Sequence, residues 1–211
     1  MSETNARASD SNTFSEGRTA MHKGRLEAFS DGVIAILITI MVLELHVPLG
    51  ADLAALTPML PKLLSYALSF VFLGIYWNNH HHMFQAVHKV DGGILWANLH
   101  LLFWLSLVPF GTAWLGENHL SPLPVALYGV ILLCAGCAYY LLSRLLIAHH
   151  GTDSPLARAV GSDVKGLVSI GLYTTAIAVA YWLPTLSKTL YVVVAIIWLV
   201  PDRRIEKVLE A

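Results

Sequence analysis

Charge is scarce in this sequence. Of its 211 residues, 13% are Asp, Glu, Lys or Arg and 56% are hydrophobic, where soluble domains carry about a quarter charged residues. The charges are bunched, with long apolar tracts between them. A net charge of -1 without a basic, aromatic-interleaved patch excludes a nucleic-acid partner. The opening stretch "MSETNARASDSNTFSEGRTA" has no apolar core, so it is not a signal peptide. Polar and Ser/Thr-rich, residues 1–24 are expected to form a disordered cytoplasmic tail. Cysteine is nearly absent. Cys134 and Cys137 lie in an apolar run far from any group that would lower a thiol pKa, so they read as packing residues rather than a redox or metal pair. No span carries an arginine ladder, which argues against voltage sensing. No internal repeat is visible, so the inverted-repeat plan of many secondary transporters is missing.

What the chain has in quantity is apolar runs, at about 26–47, 59–83, 92–115, 122–148, 162–183 and 185–201. Pro48 and Gly50 close the first, and Pro58 and Pro61 open the second. "HKVDGG" and "GENHLSP" flank the third, while Pro184 and Pro201 bound the sixth. The runs are long and do not alternate polar with apolar, so they predict membrane-spanning helices rather than barrel strands. The expected fold is all-α: a six-span domain over residues 25–201, then a cytoplasmic tail at 202–211. Six spans put both termini and the 2–3 and 4–5 connectors on one side. All of the thirteen Lys and Arg except Lys62 and Lys188 fall on that side, which makes it cytoplasmic. The expected location is the cell (inner or plasma) membrane, multi-pass.

The first run, "RLEAFSDGVIAILITIMVLEL", has two faces. At 100° per residue from Arg25, Gly32 falls at about −20°, Ile36 at about +20°, Thr39 at about −40°, Ile40 at about +60° and Leu43 at about 0°. Ser30 and Asp31 lie away from this stripe, at about 140° and about −120°. A carboxylate at a membrane boundary needs donors. Candidates are Arg25, Trp77, the histidines of "YWNNHHH" (His80, His81, His82), and Asn98 or His100 of "NLHLLFW"; a solvated helix cap is the alternative. The Ile36–Thr39–Ile40–Leu43 stripe faces lipid, a neighbouring span or a pore; periodicity does not choose among them. Thr39 does not decide it, because threonine can bond its own helix.

His80, His81, His82 and His88 raise a metal reading. Consecutive helical positions point about 100° apart, no H-E-x-x-H is present, and "HHG" at 149 has few acidic partners. Ending a cytoplasmic helix terminus and sensing pH are the other readings. Glu44 suits an external vestibule or an ion pair with Lys62. From the residues alone, two other functions compete with a pore. A secondary transporter needs a charged midplane site, and residues 33–43 offer nothing ionisable. A membrane metalloenzyme would need His80–His82 to converge.

The first run also resembles the signature of the transmembrane protein 175 family of potassium channels, in its bacterial form. The family's arginine four residues before Phe-Ser-Asp is matched by Arg25 with Phe29, Ser30 and Asp31. "YWNNHHHMF" and "NLHLLFWLSLVPF" resemble the family's second and third spans; the second half of the chain offers no diagnostic motif. The resemblance implies a homotetramer of single-copy, six-span subunits in the lipid bilayer, with first helices lining a central pore. The family lacks the Thr-Val-Gly-Tyr-Gly filter of other potassium channels, as does this chain. The implied constriction is Ile36, Ile40 and Leu43, with Thr39 as a polar ring. This is the stripe the helical wheel sets apart. Implied function is passive conduction of monovalent cations with a modest preference for K⁺ over Na⁺, and no enzymatic activity. No cofactor is implied beyond the permeant K⁺. Arg25, Phe29, Ser30, Asp31, Trp77, His80, His81, Asn98 and His100 would then form a structural network behind the pore helix.

Overall fold

The computed structural model describes residues 23–161 and 163–199 in full and, of residues 2–22, the helical backbone alone. The expected tail at 202–211 lies outside the described residues; of the one at 1–24, the helical backbone from residue 2 and, in full, Lys23 and Gly24 are described. The secondary structure described is entirely helical. Helix α1 runs Ser2–Leu43 and ends ahead of Pro48 and Gly50. A 3-10 turn, Leu53–Met59, is capped by the Asp52 carboxylate, which accepts from the Ala55 N–H at 3.0 Å. It leads directly into α2, Leu60–Gln85, where Pro61 takes a first-turn position that needs no N–H.

The third apolar run is two helices rather than one: α3, Gly92–Ser106, and α4, Val108–Glu117. The break falls at Leu107, just before Pro109, whose ring removes one N–H and crowds the preceding turn. Helix α5, Pro122–His150, is unbroken over 29 residues and stops at Gly151, whose φ of 90° suits glycine. The long connector that follows carries a short helix, α6 (Pro155–Val160), capped by Ser154. Helices α7, Val164–Val179, and α8, Pro184–Leu199, complete the described chain.

Four stretches are long and apolar enough to cross a bilayer: Lys23–Leu43, Leu53–Gln85, Gly92–Glu117 and Pro122–His150. Helices α7 and α8 have 16 residues each, about 24 Å against a hydrocarbon core of about 30 Å. Each of the six apolar runs is thus helical, and the chain is a multi-pass membrane protein.

Packing divides into two cores. One is built from Ile34, Leu37 and Met41 of α1 with Leu73, Phe84, Leu101, Leu105 and Leu142. The other joins Phe72, Tyr128 and Leu132 to Tyr173, Tyr191 and Val194 of the last two helices. Buried polar side chains inside the bundle are paired, as an apolar solvent demands, with two exceptions among the described residues, His82 Nδ1 and Ser187 Oγ. Tyr128 Oη lies 2.8 Å from Ser69 Oγ, which lies 2.6 Å from Thr112 Oγ1, itself 2.7 Å from the Val108 carbonyl beside the helix break. Cys134 is half-buried and Cys137 exposed, both as free thiols.

Gly129 of α5 lies close against α7 and α8. A Cβ there would run into the Tyr191 hydroxyl, which donates to the Val125 carbonyl at 2.9 Å. Gly129→Ala is therefore expected to destabilise the subunit by about 1–3 kcal/mol, the usual range for overpacking. Thermal unfolding in detergent checks this; an unchanged midpoint would mean that Tyr191 swings aside freely.

Candidate functional site

Helix α1 carries the candidate site because only part of it is built into the subunit. Its buried side chains are Leu26, Ser30, Ile34, Leu37 and Met41, at the three- and four-residue spacing of one helical face. This face packs on α2, α3 and α4. The opposite face is uncovered: Arg25, Gly32, Thr39 and Ile40 are exposed, Ile36 is 58% exposed and Leu43 79%. Thr39 Oγ1 donates to the Ile36 carbonyl at 2.8 Å. Its proton is thereby committed to the helix, and the lone pairs of the hydroxyl remain available on the open face.

Behind the open face, α1 is held by a buried polar chain. Ser30 Oγ donates to its own helix at the Leu26 carbonyl (2.8 Å) and accepts from Asn98 Nδ2 of α3 (2.9 Å). Asn98 Oδ1 lies 2.7 Å from His80 Nε2 of α2, so that nitrogen carries the proton and donates. All three residues are buried. Nearer the surface, Trp77 Nε1 donates to Asp31 Oδ1 at 3.0 Å. Trp77 stacks on His81, whose Nε2 lies 2.8 Å from Gln85 Nε2.

The structure thus brings together Ser30, Asp31, Trp77, His80, His81 and Asn98. Arg25 and Phe29 stay on the exposed side of α1, and among the described residues Arg25 has no ion-pair partner. His100 lies apart from these contacts. It accepts from Trp104 Nε1 on its own helix at 2.9 Å, because two residues past Asn98 it points about 200° away. His80, His81 and His82 do not converge. Among the described residues no group of three or more His, Cys, Asp or Glu is placed to hold a metal ion.

At the other end of α1, Glu44 is exposed and lines a recess of about 300 Å³ with Lys62, Tyr66, Thr112 and Glu117. Lys62 pairs with Glu117 at 3.5 Å rather than with Glu44.

Two arrangements go beyond the sequence reading. One is the Tyr128–Ser69–Thr112 chain, signalled only by hydroxyls inside apolar runs. The other is a contact between His149, His150 and the α2–α3 connector, for which the sequence offered no pairing signal.

The chain is similar to known proteins. The family profile described as endosomal/lysosomal potassium channel TMEM175 matches residues 25–109. A potassium channel of Chryseobacterium sp. (strain P1-3) is 54% identical over 190 residues, covering 90% of this chain and 99% of that one. The chain belongs to the TMEM175 family. A potassium channel of Streptomyces collinus is 36% identical over 149 residues, covering 64% of this chain and 72% of its own. The crystal structure of a lysosomal potassium-selective channel TMEM175 homolog from Chamaesiphon minutus superposes with a TM-score of 0.74 at 31% identity, covering 86% of this chain and 98% of that one. The matched segment, 25–109, spans the half-built α1, the whole Ser30–Asn98–His80 chain and Pro109 at the helix break. The family profile thus matches the region that holds α1, while the Chryseobacterium relative extends the likeness over 90% of the chain.

Proposed function

We propose that this TMEM175 member is a passive, modestly potassium-favouring cation channel of four subunits, with α1 of each around a central axis. The observation that carries this reading is the uncovered Ile36–Thr39–Ile40–Leu43 stripe, on a helix whose other face is fixed into the subunit. Closed symmetric assembly is the ordinary way for identical chains to cover such a stripe. Relatives named as potassium channels support the choice of ion. The six spans are α1, α2, α3 with α4, α5, α7 and α8, and both termini are cytoplasmic, following the distribution of Lys and Arg.

Ile36 is the main constriction. Four isoleucines offer no oxygen to replace a hydration shell, so at closest approach they exclude water and close the path by dewetting. A modest outward movement opens it. Thr39, with its proton on the Ile36 carbonyl, turns oxygen lone pairs towards the axis and favours a partly hydrated cation. Discrimination by size and one hydroxyl ring is weaker than by a carbonyl cage, hence modest selectivity. Glu44 lines the external vestibule.

Purified protein in liposomes should pass K⁺ down its gradient, and Na⁺ more slowly, without saturation or a fixed coupling ratio. Saturable, stoichiometrically coupled uptake would replace this reading with a secondary transporter.

A further inference from the structure

The end of α5 touches the connector between α2 and α3 in a way that depends on protons. His150 Nδ1 lies 2.9 Å from the Leu146 carbonyl, and His150 Nε2 lies 3.3 and 3.2 Å from the backbone nitrogens of His88 and Lys89. A carbonyl only accepts and backbone N–H groups only donate. The ring is therefore neutral, with its proton on Nδ1 and its Nε2 lone pair shared by two amides. Protonation at Nε2 turns that acceptor into a donor facing two donors, and both contacts are lost.

The neighbouring ring has the opposite requirement. His149 Nδ1 is 3.2 Å from Asp91 Oδ2, a pair that strengthens when the imidazole is charged. The amide of Ile94 bonded to Asp91, with the His149 ring beside it, holds the Asp91 carboxyl below its ordinary range. Asp91 therefore stays ionised through mildly acidic conditions. The titratable and charged side chains on the elements around the clasp include His81 and His82 near the end of α2, His88, Lys89 and Asp91 on the connector, His100 on α3, Arg144 and His149 on α5, and Asp153 and Arg158 where the chain turns into α6.

Position gives this contact its consequence. At 29 residues, α5 is about 43 Å long against a hydrocarbon core of about 30 Å, so its last turn stands in water. The connector it grips joins the end of α2, bearing Trp77, His80 and His81, to the start of α3, bearing Asn98. Those side chains hold Ser30 and Asp31 of α1.

We propose that His149 and His150 form a cytoplasmic acid-sensitive clasp on the α2–α3 connector, whose release alters the hold on α1 and hence ion flux. At neutral pH the grip is His150 on residues 88 and 89. In acid it passes to charged His149 on Asp91, the cap of α3. The flux part rests on the channel reading above; the clasp itself does not.

Two measurements on the full-length protein test it. Backbone hydrogen exchange over residues 86–91 is followed in detergent at about pH 8 and about pH 5.5, with intrinsic rates divided out. Wild type should lose protection about tenfold in acid, the scale of two lost hydrogen bonds. His150→Gln, whose amide oxygen accepts without titrating, should keep its protection. K⁺ flux in liposomes at equal pH on both sides should change between the two conditions in wild type and stay level in H150Q. Equal wild-type protection at both pH values, or the same acid loss in H150Q, would overturn the clasp. Release of the connector without a change in measurable flux would overturn its link to the pore. Absence of flux in every protein would count against the channel reading, while the exchange experiment would still decide the clasp.

Discussion

Ile36→Ala should raise passive K⁺ flux about tenfold, equivalent to lowering the permeation barrier by about 1.4 kcal/mol, and should shift the K⁺ to Na⁺ ratio. Ile36 lies on the open face of α1 and contributes little to the core of its own subunit, so the substitution should leave folding intact. In the proposed tetramer it removes four bulky groups at one level of the axis. The widened level admits water, and the dewetting barrier falls. Size discrimination weakens with it, leaving Thr39 as the remaining filter. Val42 provides the control: it is also exposed, yet lies about 120° from Ile36 around the helix. Val42→Ala should leave flux and ion preference at wild-type values. Liposome flux under opposed K⁺ and Na⁺ gradients measures both. Identical behaviour of I36A and wild type would remove Ile36 from the constriction, and a V42A effect as large as that of I36A would mean that the open face had been read from the wrong side.

The two-faced character of α1 was legible because helical periodicity puts Ser30, Ile34 and Leu37 on one side of the helix and Ile36 and Leu43 on the other. Periodicity also separates His100 from Asn98, since positions two apart on a helix point about 200° apart. Other features were illegible for a physical reason. Pro109 stands in plain view within the third run, but membrane helices tolerate proline with or without a break. The outcome depends on how Thr112, Ser69 and Val108 satisfy the freed backbone. The histidine clasp joins residues more than 60 positions apart, and nothing local in "HHG" or "HKVDGG" encodes that approach. Among the candidate site residues, sequence reasoning named a pool of donors for Asp31, and Asn98 in that pool instead donates to Ser30. It did not separate the buried chain through Asn98 from the outer contact through Trp77.

That separation yields the second large effect. Asn98→Ala should destabilise the subunit more than Asp31→Ala, although Asp31 belongs to the family's sequence signature. Removing the Asn98 amide leaves the His80 ring buried against α3 without its acceptor, at a cost of about 1–3 kcal/mol, and opens a space where α1, α2 and α3 meet. Ser30 loses a donor but keeps the Leu26 carbonyl. Asp31→Ala breaks a single contact on the more exposed side, and the freed Trp77 N–H can turn to the membrane interface, where indoles are readily accommodated. Its cost is about 0.5–1.5 kcal/mol. Both changes act on the seating of α1 rather than on its open face. Loss of the proposed tetramer should therefore precede any change in the K⁺ to Na⁺ ratio, and the assemblies that survive should discriminate as wild type does. Thermal unfolding followed by size-exclusion chromatography in detergent ranks the two variants, and flux from the recovered tetramers tests the ratio. A lower midpoint for D31A than for N98A would make the outer contact the main anchor. A shifted ratio at an unchanged midpoint would place Asp31 or Asn98 in the ion path itself, and the division of α1 into a seated face and a conducting face would fail.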